Sequence, residues 1–169
     1  LIKEQNEWQP DGWKHPEDPK VVKESFKDFS GEASKIIASI ESVYKWGLFR
    51  YPVKKKWYND RVILVGDAAH PTLPFLAQGA AMAIEDSFVI ASKISKFPKL
   101  SFAFNEFQRE RLPRVQRIIS ASAKNARTFH LSNLLYRLVL HFCLRLLTKF
   151  LPHLLVKRFD WIYDHNVTN

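Results

Sequence analysis

Gly66-Asp67, His70, Pro71, Pro74, Gln78-Gly79 and Glu85-Asp86 follow one another within residues 61–86. A glycine there lets the backbone turn sharply and lets a ligand approach closely. The aspartate beside it can accept hydrogen bonds from the hydroxyl groups of a sugar or polyol. Pro71 and Pro74 fix φ and remove two backbone donors, so residues 70–76 should form a stiff loop. A helix starting near Gln78-Gly79 would present the free N–H groups of Gly79, Ala80 and Ala81 as a site for negative charge. Such a terminus is worth up to ~2 kcal/mol to an anion in a partly buried site. A Gly-Asp pair after an apolar run is by itself usually an ordinary turn. The ordered series at fixed spacing is what points to a ligand.

These groups need elements to hold them. Val62-Ile-Leu-Val65 is a short apolar run rich in β-branched residues, which suits a strand buried on both faces. The following helix has an expected inner face of Ala80, Ala83, Ile84, Ser87, Ala91 and Ile94. Lys93 and Lys96 near its end complement the helix dipole, and Phe97-Pro98 terminates it. Glu85 and Asp86 read as a solvated or salt-bridged helix face rather than as catalytic acids. His70 reads as a brace for the loop.

The stretch resembles the second flavin-binding motif of single-component FAD-dependent aromatic-ring monooxygenases, nearest the salicylate and 3-hydroxybenzoate hydroxylase group. Trp46-Gly-Leu-Phe-Arg-Tyr-Pro52 and Trp57 upstream are similar to the strand and tryptophan that precede the motif in that family. Phe107-Gln-Arg-Glu-Arg-Leu-Pro-Arg-Val-Gln116, with Arg117, is similar to its arginine-rich helix, and Trp161-Ile-Tyr-Asp164 to its closing segment. The resemblance implies that Asp67 bonds the ribitol of FAD and that Gly66 permits the approach. It implies that Pro74 lies beside the isoalloxazine ring with its carbonyl toward the substrate, which makes Pro74 the candidate catalytic residue. Gln78 would be a cofactor-binding residue, and the amides of Gly79, Ala80 and Ala81 would face the flavin's pyrimidine edge. Ala77 stands where many relatives carry glycine, and Ala81 where asparagine is frequent, so at Ala81 only the backbone amide remains. NADH or NADPH would be the co-substrate, with dioxygen and a small aromatic ring as the other reactants.

No Gly-x-Gly-x-x-Gly occurs in the chain, so the loop that would hold the other end of FAD is not in it. The chain begins at Leu1 and opens with Trp8, Pro10, Gly12, Trp13, Pro16 and Pro19, which reads as an irregular stretch. The expectation is the C-terminal portion of a longer enzyme. The expected fold class is α/β: the C-terminal part of an FAD-binding Rossmann-like domain with part of a substrate domain and a helical C-terminal region. Residues 1–51 would end the substrate domain, 52–100 would be the FAD-binding strand-turn-helix motif, and 101–169 the helical region. Two alternatives stand beside this: another FAD-dependent hydroxylase or epoxidase acting on a lipid-like or quinone substrate, and a non-enzymatic fragment or interaction module.

Cys143 is the single cysteine, which excludes an intrachain disulfide and a multi-thiolate zinc site; no metal site is expected. Among Phe142, Leu144 and Leu147 it reads as a buried or half-buried, inert thiol. A reducing cytoplasm is the default compartment. The net charge of +9 is unevenly spread: residues 109–158 hold eleven Lys or Arg and one acid, a balance of +10, which leaves the remainder near −1. No nucleic-acid reader motif accompanies that charge, so no nucleic acid is expected. Lys54-Lys55-Lys56 reads as a solvated loop.

Helical patterning covers residues 20–43 in two pieces broken near Ser30-Gly31, with Val22, Phe26 and Phe29 on one face and Ile36, Ile37, Ile40 and Val43 on the next. Residues 45–51 and 61–65 are candidate strands. Ser101 is the expected N-cap of a helix reaching about Thr128, which Pro113 should kink or break. A leucine-rich helix from about Ser132 to Phe150 carries Arg137, His141, Arg145 and Lys149 as a polar stripe, and Pro152 ends it. It is too interrupted by charge to span a bilayer. Two readings of this basic helix remain open: packing on the enzyme body or across a homodimer interface, and peripheral attachment to an anionic membrane surface.

Overall fold

The computed structural model describes residues 12, 14–48, 51–129, 131 and 133–168. Trp8, Pro10, Trp13, Phe49, Arg50 and Ser132, named above, lie outside them. The chain divides into two units, Leu1–Phe49 and Arg50–Asn169.

In the first unit, strand Lys14–Glu17 (β1) pairs antiparallel with Val43–Trp46 (β2), placing Lys14 opposite Trp46 and Glu17 opposite Val43. The opening was expected to be irregular throughout, yet β1 includes Pro16. A two-stranded ribbon leaves each strand an edge, and there proline's missing donor costs no ladder bond. Asp18 caps helix Pro19–Ser25 (α1) by accepting from the Lys20 N–H at 2.8 Å. Gly31, at φ +66°, separates it from helix Glu32–Ala38 (α2), so the expected break is where the chain turns. Ile37 is buried, whereas Ile36 is exposed and Val43 belongs to β2.

The second unit is built on two long helices. A short hairpin of Tyr58–Asn59 (β3) and Val62–Ile63 (β4) leads into a 3-10 turn at Gly66–Ala68 and another at Pro74–Leu76. Helix Gly79–Lys96 (α3) then reverses at Phe97-Pro98 into helix Leu100–Phe129 (α4), which packs back along it. Phe104, Phe107, Arg111, Val115, Ile118 and Ser122 recur at three- and four-residue intervals on α4 and are all buried. Phe107, Val115 and Ile118 meet Trp57, Leu76, Met82 and Val89 in the core, which Ile162 closes from the chain's end. Trp57 is fixed at both ends. Its N–H donates to Gln108 Oε1 at 2.7 Å, and its indole Nε1 donates to the Lys54 carbonyl at 2.9 Å. Lys54, Lys55 and Lys56 are exposed.

Several expectations change. The run at 62–65 is not buried on both faces: only Val62–Ile63 is strand, and Val62 and Val65 are exposed. A strand covered on both faces needs a sheet around it, and among the described residues β3 is its only partner. The inner face of α3 is also different. Met82, Asp86 and Val89 point inward, while Ala80, Ile84, Ser87, Ala91 and Ile94 are exposed. A carboxylate at the centre of the buried stripe hides the stripe from hydrophobic patterning. Ser101 lies inside the first turn of α4, where the Lys99 carbonyl accepts from Phe102 and Ala103. Pro113 sits within α4 without ending it, because α4 is held by its packed face on both sides of the lost backbone bond.

Helix Leu134–Phe150 (α5) is capped by Asn133, which accepts from the Tyr136 N–H. Pro152 does not simply stop it but occupies the first turn of Pro152–Lys157 (α6), followed by Asp160–Tyr163 (α7). Cys143 is exposed rather than buried, because α5 turns most of its apolar residues to solvent. Among the described residues no helix is long and apolar enough to cross a membrane.

The two faces of α3 and α4 predict unequal mutational costs. Phe107→Ala should lower the unfolding free energy by ~3–5 kcal/mol, and Ile84→Ala by less than ~0.5 kcal/mol, in urea titrations followed by circular dichroism. The reverse ranking would mean that Ile84, not Phe107, lies in the core.

Candidate functional site

Gly66 adopts φ +56°, and a Cβ built on it would sit 3.1 Å from the Ala83 Cβ of α3. The turn therefore needs glycine twice over, for its backbone conformation and for its contact with the helix. Its amide is not left to water. Gly66 N–H donates to Asp86 Oδ2 at 2.9 Å, and His70 Nε2 lies 2.6 Å from the same oxygen. An ionised carboxylate only accepts, so His70 carries its proton on Nε2 and donates it. The Gly66 carbonyl in turn accepts from the Ala69 and His70 amides, closing the turn on itself. Trp57 covers the imidazole, with ring centroids 5.2 Å apart.

Asp86 is fully buried, and burial of a charge is costly unless it is paired and hydrogen-bonded. Arg111 supplies the pairing: its Nε donates to Asp86 Oδ1 at 2.8 Å and its Nη2 reaches Glu85 Oε2 at 2.6 Å. Arg114 binds Glu85 through two nitrogens, at 2.7 and 2.6 Å, and donates to the carbonyls of Trp161 and Ile162. Arg117 lies over the Trp161 ring, 3.9 Å from its centroid. One charged chain thus runs from the Gly-Asp turn through α3 and α4 to the closing segment. Burial raises the pKa of Asp86, but the hydrogen bonds from His70, Gly66 and Arg111 outweigh it and hold the carboxyl below its ordinary 3.8. Glu85 behaves alike: burial raises it, and Arg114 and Arg111 bring it below 4.5. Of the two readings of Glu85-Asp86, the salt-bridged one describes both residues.

Asp67, one residue after the buried glycine, is exposed. Its Oδ1 lies 3.9 Å from where a Cβ on Gly79 would be, beside the start of α3. That helix start has no side-chain cap and no acid in its first turn, so nothing of its own charge opposes an anion there. Gln78 is buried and its carbonyl accepts from the Met82 N–H; Ala80 is exposed, and Gly79 and Ala81 are half-buried. Pro74 is exposed in its 3-10 turn, and its carbonyl accepts from the Ala77 N–H at 3.1 Å, leaving one lone pair. Ala77 takes the left-handed conformation at φ +51°, where glycine is easier, so the glycine common at this position in the resembling family has a backbone reason.

The structure brings Gly66, Asp67 and Gly79 together and carries Pro74 on the loop between them. Sequence reasoning missed the residues that hold this loop. Ser122, buried on α4, donates to the Leu73 carbonyl at 2.8 Å, and Asn125 one turn on reaches the Phe75 carbonyl at 3.5 Å. A serine and an asparagine continuing the buried stripe of α4 were the available signal. Arg111, also on that stripe, was visible only as one of many arginines.

The FAD binding domain family profile matches residues 4–122, more than half of the chain. The chain belongs to the FAD binding domain family. It is 34% identical over 126 residues to a 3-amino-4-hydroxybenzoate 2-monooxygenase of Streptomyces platensis, covering 74% of this chain and 32% of that protein. It is 32% identical over 166 residues to a 3-hydroxybenzoate 6-hydroxylase of Polaromonas naphthalenivorans (strain CJ2), covering 95% of this chain and 40% of that protein. The chain therefore spans well under half the length of these curated relatives. A salicylate hydroxylase in complex with substrate matches with a TM-score of 0.73 over 96% of this chain and 39% of the other, at 23% identity, which shows a shared fold. Membership of the FAD binding domain family agrees with the expected α/β class: this chain supplies a helix-rich part of it.

The lowered carboxyl pKa values give the network a pH signature. A depressed pKa adds stability that is complete above the unfolded value and is lost as pH falls through the folded one. The contribution of these two carboxyls to the unfolding free energy should therefore hold down to about pH 4.5 and decline below it as they protonate. Asp86→Asn should cost ~3–5 kcal/mol at neutral pH by leaving Arg111 without its buried partner, and should flatten the acid slope. An unchanged slope in urea titrations across this range would show that Asp86 is not ionised in the folded chain.

Proposed function

We propose that the full-length protein is an FAD-dependent monooxygenase that hydroxylates a small aromatic ring with NADH or NADPH and dioxygen. The observation that carries this reading is the exposed Asp67 beside the uncapped start of α3, on a turn locked from behind by Asp86, in a chain of the FAD binding domain family. The curated relatives named above act on hydroxybenzoates, which supports a hydroxylated benzoate-like ring as the substrate class.

The residues fit the cofactor. Asp67 is free on its solvent side to accept from a ribitol hydroxyl, with Gly66 keeping the turn tight behind it. The amides of Gly79, Ala80 and Ala81 would offset negative charge at the flavin's pyrimidine edge. Gln78, buried before them, sets where the helix begins. Pro74 would form a rigid wall whose carbonyl could face the ring to be hydroxylated, and is the candidate catalytic residue. When bound, FAD supplies the electron and oxygen transfer, and this chain contributes binding, orientation and exclusion of water. Residues 1–51 would belong to the substrate domain and 101–169 to the helical region that buttresses the site.

Asp67→Ala in the full-length protein should weaken FAD binding about tenfold or more, the loss of one hydrogen bond to a charged acceptor. Titration of the apoprotein with FAD, followed by quenching of flavin fluorescence, reads this directly. Unchanged affinity would remove Asp67 from the ribitol site.

A further inference from the structure

Leu135, Val139, Phe142, Leu146 and Phe150 recur along α5 at helical spacing, on one face, and all are exposed. Leu140 and Leu147, on a neighbouring face, are half-buried, and α5 packs on α6. The open face is bordered by Arg145 and Lys149, with Arg137 and His141 beyond them. Residues 133–158 contain five Lys or Arg, two His and no acid at all. A contiguous apolar stripe flanked along one side by cations, with no acid near it, is the surface of a helix that lies in the headgroup layer of an anionic bilayer. A two-fold contact with a second copy would set this wholly basic patch against itself. We propose that α5, supported by α6, docks the protein on an anionic phospholipid surface, with Phe142, Leu146 and Phe150 entering the acyl boundary and Arg145 and Lys149 meeting lipid phosphates. This surface is independent of the FAD-site reading and survives its failure.

The test uses the 169-residue chain labelled at Cys143, its single cysteine, which lies on α5 and is exposed. An environment-sensitive fluorophore there is followed while vesicles of phosphatidylcholine, with or without phosphatidylserine, are added. Flotation is measured in parallel. The expected result is binding with a blue-shifted label on the phosphatidylserine vesicles only, reversed by salt. The Arg145→Gln, Lys149→Gln double variant should bind about twenty-five-fold more weakly, because each cation near the surface contributes about fivefold. Both positions are on the surface, and matching circular dichroism confirms the fold. No binding to anionic vesicles at low salt overturns the proposal. Binding without a blue shift does so too, since α5 would then not be the inserted element. So does a dimer that Phe142→Asp dissociates in the absence of any vesicle binding, which would make the face a contact between copies.

Discussion

Everything around the candidate site depends on one buried carboxylate. Asp86 receives the Gly66 amide and His70 on one oxygen and Arg111 on the other. A buried charge held this way tolerates only one arrangement of its partners, because each missing bond leaves a desolvated group unmatched. The turn, the loop brace and the α3–α4 packing are thereby fixed together. Asp67 owes its place beside the start of α3 to this: the residue before it is held from inside the protein, and its own side chain stays exposed.

The second consequence concerns division of labour between the helices. The first turn of α3 lies beside Asp67 with Ala80 exposed and Gly79 and Ala81 half-buried, and the next turn carries the acids that reach α4. α4 answers with Arg111 and Arg114 for the acids, Gln108 for the Trp57 backbone and Ser122 for the loop that bears Pro74. The site is a product of α4 as much as of the motif itself, although α4 contributes no group to the proposed flavin contacts.

The motif was legible because its chemistry is local. The turn at Gly66, the 3-10 turn begun by Pro74 and the helix start at Gly79 follow from backbone conformation, and each leaves its mark within a few residues. The break at Gly31 and the helix end at Phe97-Pro98 were legible for the same reason. The inner face of α3 was not, because Asp86 is buried only by virtue of Arg111, twenty-five residues away. Hydrophobic patterning assigns an acid to solvent, and it therefore turned the helix the wrong way. The strand at Val62 was over-read because strand burial is a property of neighbouring strands, and the exposure of Cys143 was missed because a leucine-rich helix reads as core whether or not a core is there to meet it.

Native-state hydrogen exchange at the Gly66 amide tests the central claim most directly. If that amide is donated to a buried, ionised Asp86, it should exchange only when the unit unfolds as a whole, with the protection of the α4 core amides. Exchange as fast as that of the exposed turn residues Asp67 and Ala68 would contradict the account, because the turn would then open without breaking the network said to hold it.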